Sequence, residues 1–410
     1  MLFVISEVYF PEEAGTAHYM TGIAEGLASK TAVRVICARP KYERQWDAVP
    51  AKESHKGVSI QRCWATTFDK NRLAGRIANV VTASLSIFLA AVRQVRKDDR
   101  VLVVTSPPLL PFVAAAACRL RGARCFLKID DVFPEAMIHS GLLRPGSIAV
   151  SFMNWMNRAL YRRVERIVVL GRDMRLLVEK KLGGPGENLL VIPNWADVDT
   201  VVPSPKAGNR LLREHALENK FVVGYAGNLG RVQAVEAMFE TARLLKGEED
   251  VHFMVVGSGQ KAAWLESAVA QAGLTNITLA GWRPRAQQCD FLNACDLGLV
   301  SLVRGMAGIG VPSRLYNVMA AGKPVLAMID QESEPAMVVR EESIGWVVPP
   351  DQPRKAAAAI LDAKSDRGRL ARMGATARKV AAAKYSRERI LAAYESLLWR
   401  ACRGTAPSLP

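Results

Sequence analysis

The sequence predicts an α/β protein made of two doubly wound, Rossmann-like domains, and three observations carry that expectation. Short apolar, β-branched runs alternate with longer amphipathic ones almost from end to end, the pattern of parallel strands joined by crossover helices. The alternation pauses once, near residue 200, and then restarts. Half of the 410 residues are hydrophobic and 23% are charged. That balance supplies a large core and excludes a mainly disordered, collagen-like or coiled-coil chain.

The elements follow in order. In the first half, strands are expected at 2–6, 33–38, 58–63, 101–105, 125–129, 166–170 and 189–192, with helices at 17–30, 73–97, 111–121 and 173–181. Residues 194–209 hold two prolines, a glycine and few core-type runs, and read as an inter-domain linker. Strand and helix then alternate through 221–226, 235–245, 251–256, 261–272, 277–280, 286–294, 297–301, 313–321 and 324–328. The Ala-, Arg- and Lys-rich tail from 353 to 403 reads as helical throughout. The expected units are an N-terminal Rossmann-like domain over 1–200, a second over 210–385, and a C-terminal helix within 386–410 that packs back on the first. Two such domains facing each other form a central cleft at the carboxyl ends of their strands, the edge where open α/β sheets bind ligands.

Charge narrows the partners. There are 55 Lys and Arg against 39 Asp and Glu, a formal net charge of +16. Anionic lipid and phosphate-bearing small substrates suit that excess. The charge is spread along the chain without a basic tail, and no recognisable single-strand or RNA-binding module is present, so nucleic acid is not expected as a partner. The seven cysteines (Cys37, Cys63, Cys118, Cys125, Cys289, Cys295 and Cys402) are odd in number and never form C-x-x-C. They read as core residues of a reduced, cytoplasmic protein. The opening MLFVISEVYFPEE reads as a first strand and an acidic loop rather than a signal peptide. The apolar stretch 77–92 is interrupted by Asn79, Thr82, Ser84 and Ser86 and reads as too short to span a membrane.

Several motifs exclude more than they assign. Gly257-Ser-Gly259-Gln-Lys261-Ala262 follows a strand and opens a helix like a dinucleotide turn. The next strand lacks the acidic residue that would bind a ribose, so the glycines read as a tight turn beside a phosphate-bearing pocket. Asp197-Val198-Asp199 has the D-x-D spacing of some metal sites but lies in the linker. No metal and no resident cofactor are expected. No H-E-x-x-H, Walker A or G-x-S-x-G motif occurs.

The most informative run is Gly308-Ile-Gly-Val-Pro312-Ser313-Arg314-Leu-Tyr316-Asn317. Its glycine-rich loop ends at Pro312-Ser313, which suits a helix start with Ser313 as cap and free N–H groups aimed at an anion. Arg314 in the first turn opposes the helix dipole unless a diphosphate lies in front of it.

This run resembles the donor-site segment of GT-B retaining glycosyltransferases of family 4, especially their bacterial envelope-polysaccharide branch. Gly224-Tyr-Ala-Gly227-Asn228-Leu-Gly230-Arg231-Val-Gln233, Gly281-Trp282-Arg283-Pro284, Asp131-Val-Phe-Pro134-Glu135 and Ile192-Pro193-Asn194-Trp195 match in order, and the likeness covers nearly the whole chain. It implies a GT-B fold and metal-independent, retaining transfer of a sugar, hexosyl or N-acetylhexosaminyl, from a nucleoside diphosphate, with UDP as the nucleotide. The acceptor implied is a saccharide or lipid-linked saccharide of the cell envelope. Arg231 and Arg314 are then the stabilisers of the leaving diphosphate, and Asp131 the residue that orients the acceptor hydroxyl. Gly15, Asn228, Gln233, Gly257, Lys261, Trp282, Arg283, Ser313, Tyr316 and Asn317 form the donor-binding set, and Glu135 and His139 stand nearest the acceptor. For Glu135 a surface or capping role is an equal alternative, as is a plain core role for Trp282.

The chain departs from the family pattern where two glutamates eight positions apart usually hold the donor: Ile309 and Asn317 stand there. The stretch 77–92 with its basic flanks, and Tyr42, Trp46, Trp64 and Phe68 before it, suit either a buried helix or peripheral contact with the inner face of an anionic membrane. Two further functions use the same fold: a nucleotide-sugar epimerase, which needs more clustered acids and histidines than the five histidines offer, and a non-catalytic basic scaffold.

Overall fold

The computed structural model describes residues 1–40, 49–69 and 72–399. Tyr42, Trp46 and Cys402, and the end of the C-terminal segment from 400 on, lie outside the described residues. The chain forms two compact units. The first comprises 1–138, 143–193 and the residues from Ile390 on; the second comprises 139–142 and 194–389.

In the first unit the order is β1 (Leu2–Ile5), α1 (Gly15–Ala28), β2 (Val33–Ala38), β3 (Lys52–His55), β4 (Val58–Cys63), α2 (Leu73–Gln94), β5 (Arg100–Val104), α3 (Leu110–Arg121) and β6 (Arg124–Lys128). It continues through α4 (Glu135–His139), α5 (Ile148–Tyr161), β7 (Arg166–Val169), α6 (Arg172–Leu182) and β8 (Leu189–Val191). The eight-stranded sheet runs β3-β4-β2-β1-β5-β6-β7-β8, parallel except for the edge hairpin β3–β4. The crossovers reverse direction between β1 and β5, which puts α1 on one face of the sheet and α2, α3, α5 and α6 on the other.

The second unit holds α7 (Arg210–Glu214), β9 (Phe221–Ala226), α8 (Val235–Leu244), β10 (Val251–Val256), α9 (Ala262–Ala272), β11 (Ile277–Gly281), α10 (Gln288–Asn293), β12 (Leu297–Ser301) and α11 (Arg314–Ala320). Then come β13 (Val325–Met328), α12 (Glu334–Glu341), β14 (Gly345–Val348), α13 (Pro353–Ser365), α14 (Arg367–Lys384) and α15 (Arg387–Trp399), the last of which joins the first unit from Ile390. Its sheet is wholly parallel in the order β11-β10-β9-β12-β13-β14, the doubly wound arrangement. Successive residues of one strand serve different cores. Val223, Phe253 and Val255 pack with Met238 and Phe239 of α8, whereas Val222, Met254 and Val256 pack with Leu211 and Leu212 of α7. That is why these strands are apolar without alternation. In α8 the buried set Val235, Met238, Phe239 and Ala242 has the i, i+3, i+4, i+7 spacing of a helix laid on a sheet.

Three expectations change. The tail is three helices rather than one, broken at Asp366, whose carboxylate accepts from the Arg369 N–H at 2.7 Å and restarts the chain as α14. The 194–209 segment is no free tether: Trp195 is fully buried, and Arg378 donates to the carbonyls of Val198 and Val201. Helix α2 ends at Gln94, within the expected 73–97, but its 77–94 stretch is long and apolar enough to cross a membrane, the one such helix among the described residues. Its Ala83, Ile87, Ala90 and Ala91 are nonetheless buried in the unit, so α2 is a layer helix of the α/β fold. The sequence reading also passed over α5.

His252 on β10 supplies a pH test of the second unit. Its Nε2 lies 2.8 Å from Thr278 Oγ1. Burial, with Lys220 and His215 nearby, pushes its pKa down from 6.5 to about 4. The unfolded chain therefore takes up the proton first as pH falls. Stability is complete above pH 6.5 and declines through 4, by about 3 kcal/mol. Melting curves of His252→Gln should flatten across that window; an unchanged acid limb would assign the loss to other groups.

Candidate active site

The carboxyl edge of the second unit is built from two glycine turns stitched together. After β9, the Gly227 N–H donates to the Val256 carbonyl (2.9 Å) and Leu229 N–H to the Ser258 carbonyl (2.8 Å). After β10, Lys261 N–H returns to the Leu229 carbonyl at 2.8 Å. Gly257 has φ of 150°, and a Cβ there would strike the Gly227 carbonyl oxygen, so only glycine lets the two turns meet. Gln233 closes the first turn, its Oε1 accepting from the Gly230 N–H at 3.0 Å. Asn228 sits at the tip, with its backbone carbonyl held by the Tyr225 hydroxyl at 2.7 Å.

Arg314 stands over these turns. Its guanidinium carbon lies 4.4 Å from the centre of the Tyr225 ring, and the group rests against Gly227. Its Nη1 is buried without a hydrogen-bond partner among the described residues. A buried, unsatisfied cationic donor costs more than a satisfied one, so it marks a place where an anion completes the structure. Stacking on Tyr225 fixes the guanidinium plane while leaving its N–H edge available. Sequence reasoning quoted Tyr225 but missed this role; an aromatic residue at a strand end two positions before a glycine was the available signal.

The other predicted donor residues separate by what they already hold. Arg231 donates through Nε to Gln260 Oε1 (2.9 Å) and through Nη1 to the Ser140 carbonyl (3.0 Å). Both acceptors are neutral, so its charge is undiminished. Lys261, by contrast, is paired with Glu236 at 2.7 Å and also donates to the Gln233 carbonyl. That carboxylate partner sets Lys261 apart from Arg231 within the expected donor-binding set. Arg283 pairs with Glu214 at 2.5 Å, while Trp282 beside it is more than half exposed. Exposure removes the core alternative for Trp282.

Three expectations at the Ser313 helix are corrected as well. Ser313 has helical backbone angles and no side-chain cap bond, and α11 has only seven residues, so the turn offers little of the dipole expected of it. Tyr316 is fully buried with its ring against Tyr385, a core position rather than a donor contact. Asn317 is buried, and its Oδ1 accepts from the Asp197 N–H at 3.1 Å. Asp197 in turn pairs with Arg285 at 2.6 Å and accepts from Trp195 Nε1 at 3.0 Å. Asn317 thus anchors the 194–198 segment, and the D-x-D spacing at Asp197 is structural. Ile309 is buried, in keeping with its apolar side chain.

The first unit presents a carboxylate pair at the end of β6. Lys128 is buried and pairs with Asp130, which also accepts from Thr16 Oγ1 at 3.0 Å. Thr105 Oγ1 accepts from the Asp130 N–H at 3.1 Å and donates to the Asp131 carbonyl at 3.2 Å. These bonds turn Asp130 inward and leave Asp131 open to solvent. Desolvation at this strand edge, and then the Asp130 carboxylate, push the Asp131 pKa up to about 6, with Lys128 opposing. Gly15 opens α1 next to Thr16, and a Cβ there would meet open space.

The two acceptor candidates do not join Asp131. Glu135 pairs with Lys181 at 2.6 Å, and Lys181 also donates to Asn154. Glu135 is therefore a strut tying α4 to α6 and α5. His139 falls in the 139–142 segment that clusters with the second unit, its ring beside Gly305. All six described cysteines are free, and five are buried.

Comparison with known proteins gives the following. Residues 210–380 match the family model of glycosyl transferases group 1, and residues 14–195 match that of the glycosyl transferase 4-like domain. The chain is 33% identical over 320 residues to the probable glycosyltransferase WbjE of Pseudomonas aeruginosa, covering 78% of each chain. It is 28% identical to the putative colanic acid biosynthesis glycosyl transferase WcaI of Escherichia coli, covering 77% of this chain and 79% of that one. Among solved structures, Anabaena HepE in complex with UDP and glucose superposes with a TM-score of 0.75 at 16% identity, covering 97% of this chain and 98% of that one.

Proposed function

Since the chain belongs to the group 1 glycosyltransferases, with a glycosyl transferase 4-like domain ahead of the group 1 domain, we propose that it moves a hexosyl or N-acetylhexosaminyl unit from a nucleoside-diphosphate sugar, with UDP as the nucleotide, to a saccharide or lipid-linked saccharide in envelope-polysaccharide synthesis. One observation carries the donor half of this reading. It is the buried Nη1 of Arg314, unpartnered among the described residues, on a guanidinium stacked on Tyr225 beside the two glycine turns. The names of the relatives supply the polysaccharide context, and the uridine nucleotide in the HepE structure supplies the choice of base.

In the proposed reaction the bond from the anomeric carbon to the diphosphate oxygen breaks while the acceptor oxygen bonds to that carbon. The acceptor proton passes to the departing phosphate, and the anomeric configuration is retained. Arg314 and Arg231 hold the charge that develops on the diphosphate, in place of a metal ion. Ionised Asp131 accepts a hydrogen bond from the acceptor hydroxyl and orients it. The protein works in peripheral contact with the inner face of an anionic membrane.

The test is a thermal-shift panel of UDP, GDP, TDP and CMP with EDTA present. UDP at a hundred times its Kd should stabilise the native state by about 2.7 kcal/mol. A preference for GDP would change the base assignment. Heparin binding with no nucleotide shift would favour a scaffold.

A further inference from the structure

We propose that the outer face of α2 and α5 in the first unit is a docking surface for a bilayer carrying anionic headgroups. This deepens the membrane contact stated above and rests on it. Helix α2 leaves Ile77, Val81, Leu85 and Leu89 exposed, a stripe at i, i+4, i+8 and i+12 on the side opposite its buried Ala83 and Ile87. Helix α5 does the same with Ile148 (90% exposed), Phe152 (59%) and Trp155 (63%), while Val150, Leu160 and Tyr161 face the unit. The Phe152 and Trp155 rings sit 5.9 Å apart, forming one aromatic wedge. Just before α2, Trp64 and Phe68 are also more than half exposed. Single exposed apolar residues are ordinary, but two parallel stripes on one helical layer are not.

Charge identifies the occupant. Helices α2, α3 and α5 contain no Asp or Glu, while Arg93, Arg119, Arg121 and Arg158 lie on them and exposed Arg72 and Arg144 precede α2 and α5. Arg121 and Arg158 donate to backbone carbonyls, at 2.9 Å each, which leaves their charge uncancelled. An apolar face whose helices are flanked at their ends by arginines without an ion pair among the described residues matches the boundary between acyl chains and anionic headgroups. A second copy of the same face would bring like charges together. Because the inner side of α2 is packed within the unit, the contact is a seating on the surface and not a crossing. Every crossover helix of this sheet starts at the carboxyl edge, so Ile77 and Ile148 stand on the same edge as Asp131. A lipid-borne acceptor held there would present its sugar to that edge.

The experiment is flotation with phosphatidylcholine–phosphatidylglycerol vesicles, with pure phosphatidylcholine and high salt as further arms. The wild type should float with the mixed vesicles at low salt and much less in the other two arms. The double substitution Phe152→Glu, Trp155→Glu should lower the bound fraction about tenfold or more, as should Val81→Glu, Leu85→Glu. Melting temperature and the UDP-induced shift should stay unchanged in both, and Val202→Glu in the second unit should float like wild type. If the wild type ignores the vesicles, the membrane contact fails and this face with it. If both double variants float normally, the contact stands and the face is wrong. If the same substitutions instead abolish a concentration-dependent dimer, the face belongs to a second copy and the proposal is overturned.

Discussion

Arg314→Ala lowers turnover of the nucleoside-diphosphate sugar by about 10²–10³-fold, the loss expected when one preorganised donor to a developing negative charge is removed. The folded state should survive, because among the described residues no ion pair or hydrogen bond depends on the guanidinium. Truncation removes a buried, unsatisfied Nη1, so thermal stability without ligand should hold or rise slightly. The same variant should lose the UDP-induced shift. Arg314→Lys tests the geometry: a point charge without the planar fork, off the Tyr225 ring, should recover only part of the activity. Tyr225→Phe keeps the platform and gives up the bond to the Asn228 carbonyl, so it should fall between the two. Undiminished turnover and UDP binding in Arg314→Ala would remove the donor assignment.

Asp131→Asn should cost about 10²-fold in kcat and, more tellingly, change the shape of the pH profile. Desolvation and the neighbouring Asp130 carboxylate push the Asp131 pKa up to about 6. Above that value the group is ionised and accepts the hydrogen bond that orients the acceptor hydroxyl. Below it the group is protonated, and the rate should fall about tenfold per pH unit. The asparagine variant has nothing to titrate there, so its residual activity should run flat through pH 6. A wild-type profile level down to pH 5 would exclude Asp131 from the reaction. Exchanging Asp130 is the less informative substitution, since its partners Lys128 and Thr16 make it part of the scaffold.

The outline of both sheets could be read from the residues because it rests on local terms. Runs such as Val251–Val256 are buried at every position and apolar at all but His252, and a six-residue strand needs that only when helices cover both faces. Amphipathic spacing in α8 and the glycines of the turns after β9 and β10 are equally local. What failed was equally physical. Edge strand β3 (Lys52–His55) is polar, with a half-exposed pattern that carries no apolar signal.

Within the site, sequence could name residue types but not their partners. Lys261, Arg231 and Arg314 are indistinguishable as cations along the chain. Glu236, 25 residues before Lys261, pairs with that lysine, while no described residue partners the buried Nη1 of Arg314. The adjacent Asp130 and Asp131 are likewise equivalent until Lys128, Thr16 and Thr105 turn one inward and leave the other at the surface. The sequence by itself therefore determined the two doubly wound sheets, the turns that must be glycine and the family to which the motifs point. Only the tertiary structure decided which charges stay free and which apolar stripes stay uncovered. Strand and turn preferences act over a few residues, but desolvation and charge pairing depend on groups that meet only once the chain has folded.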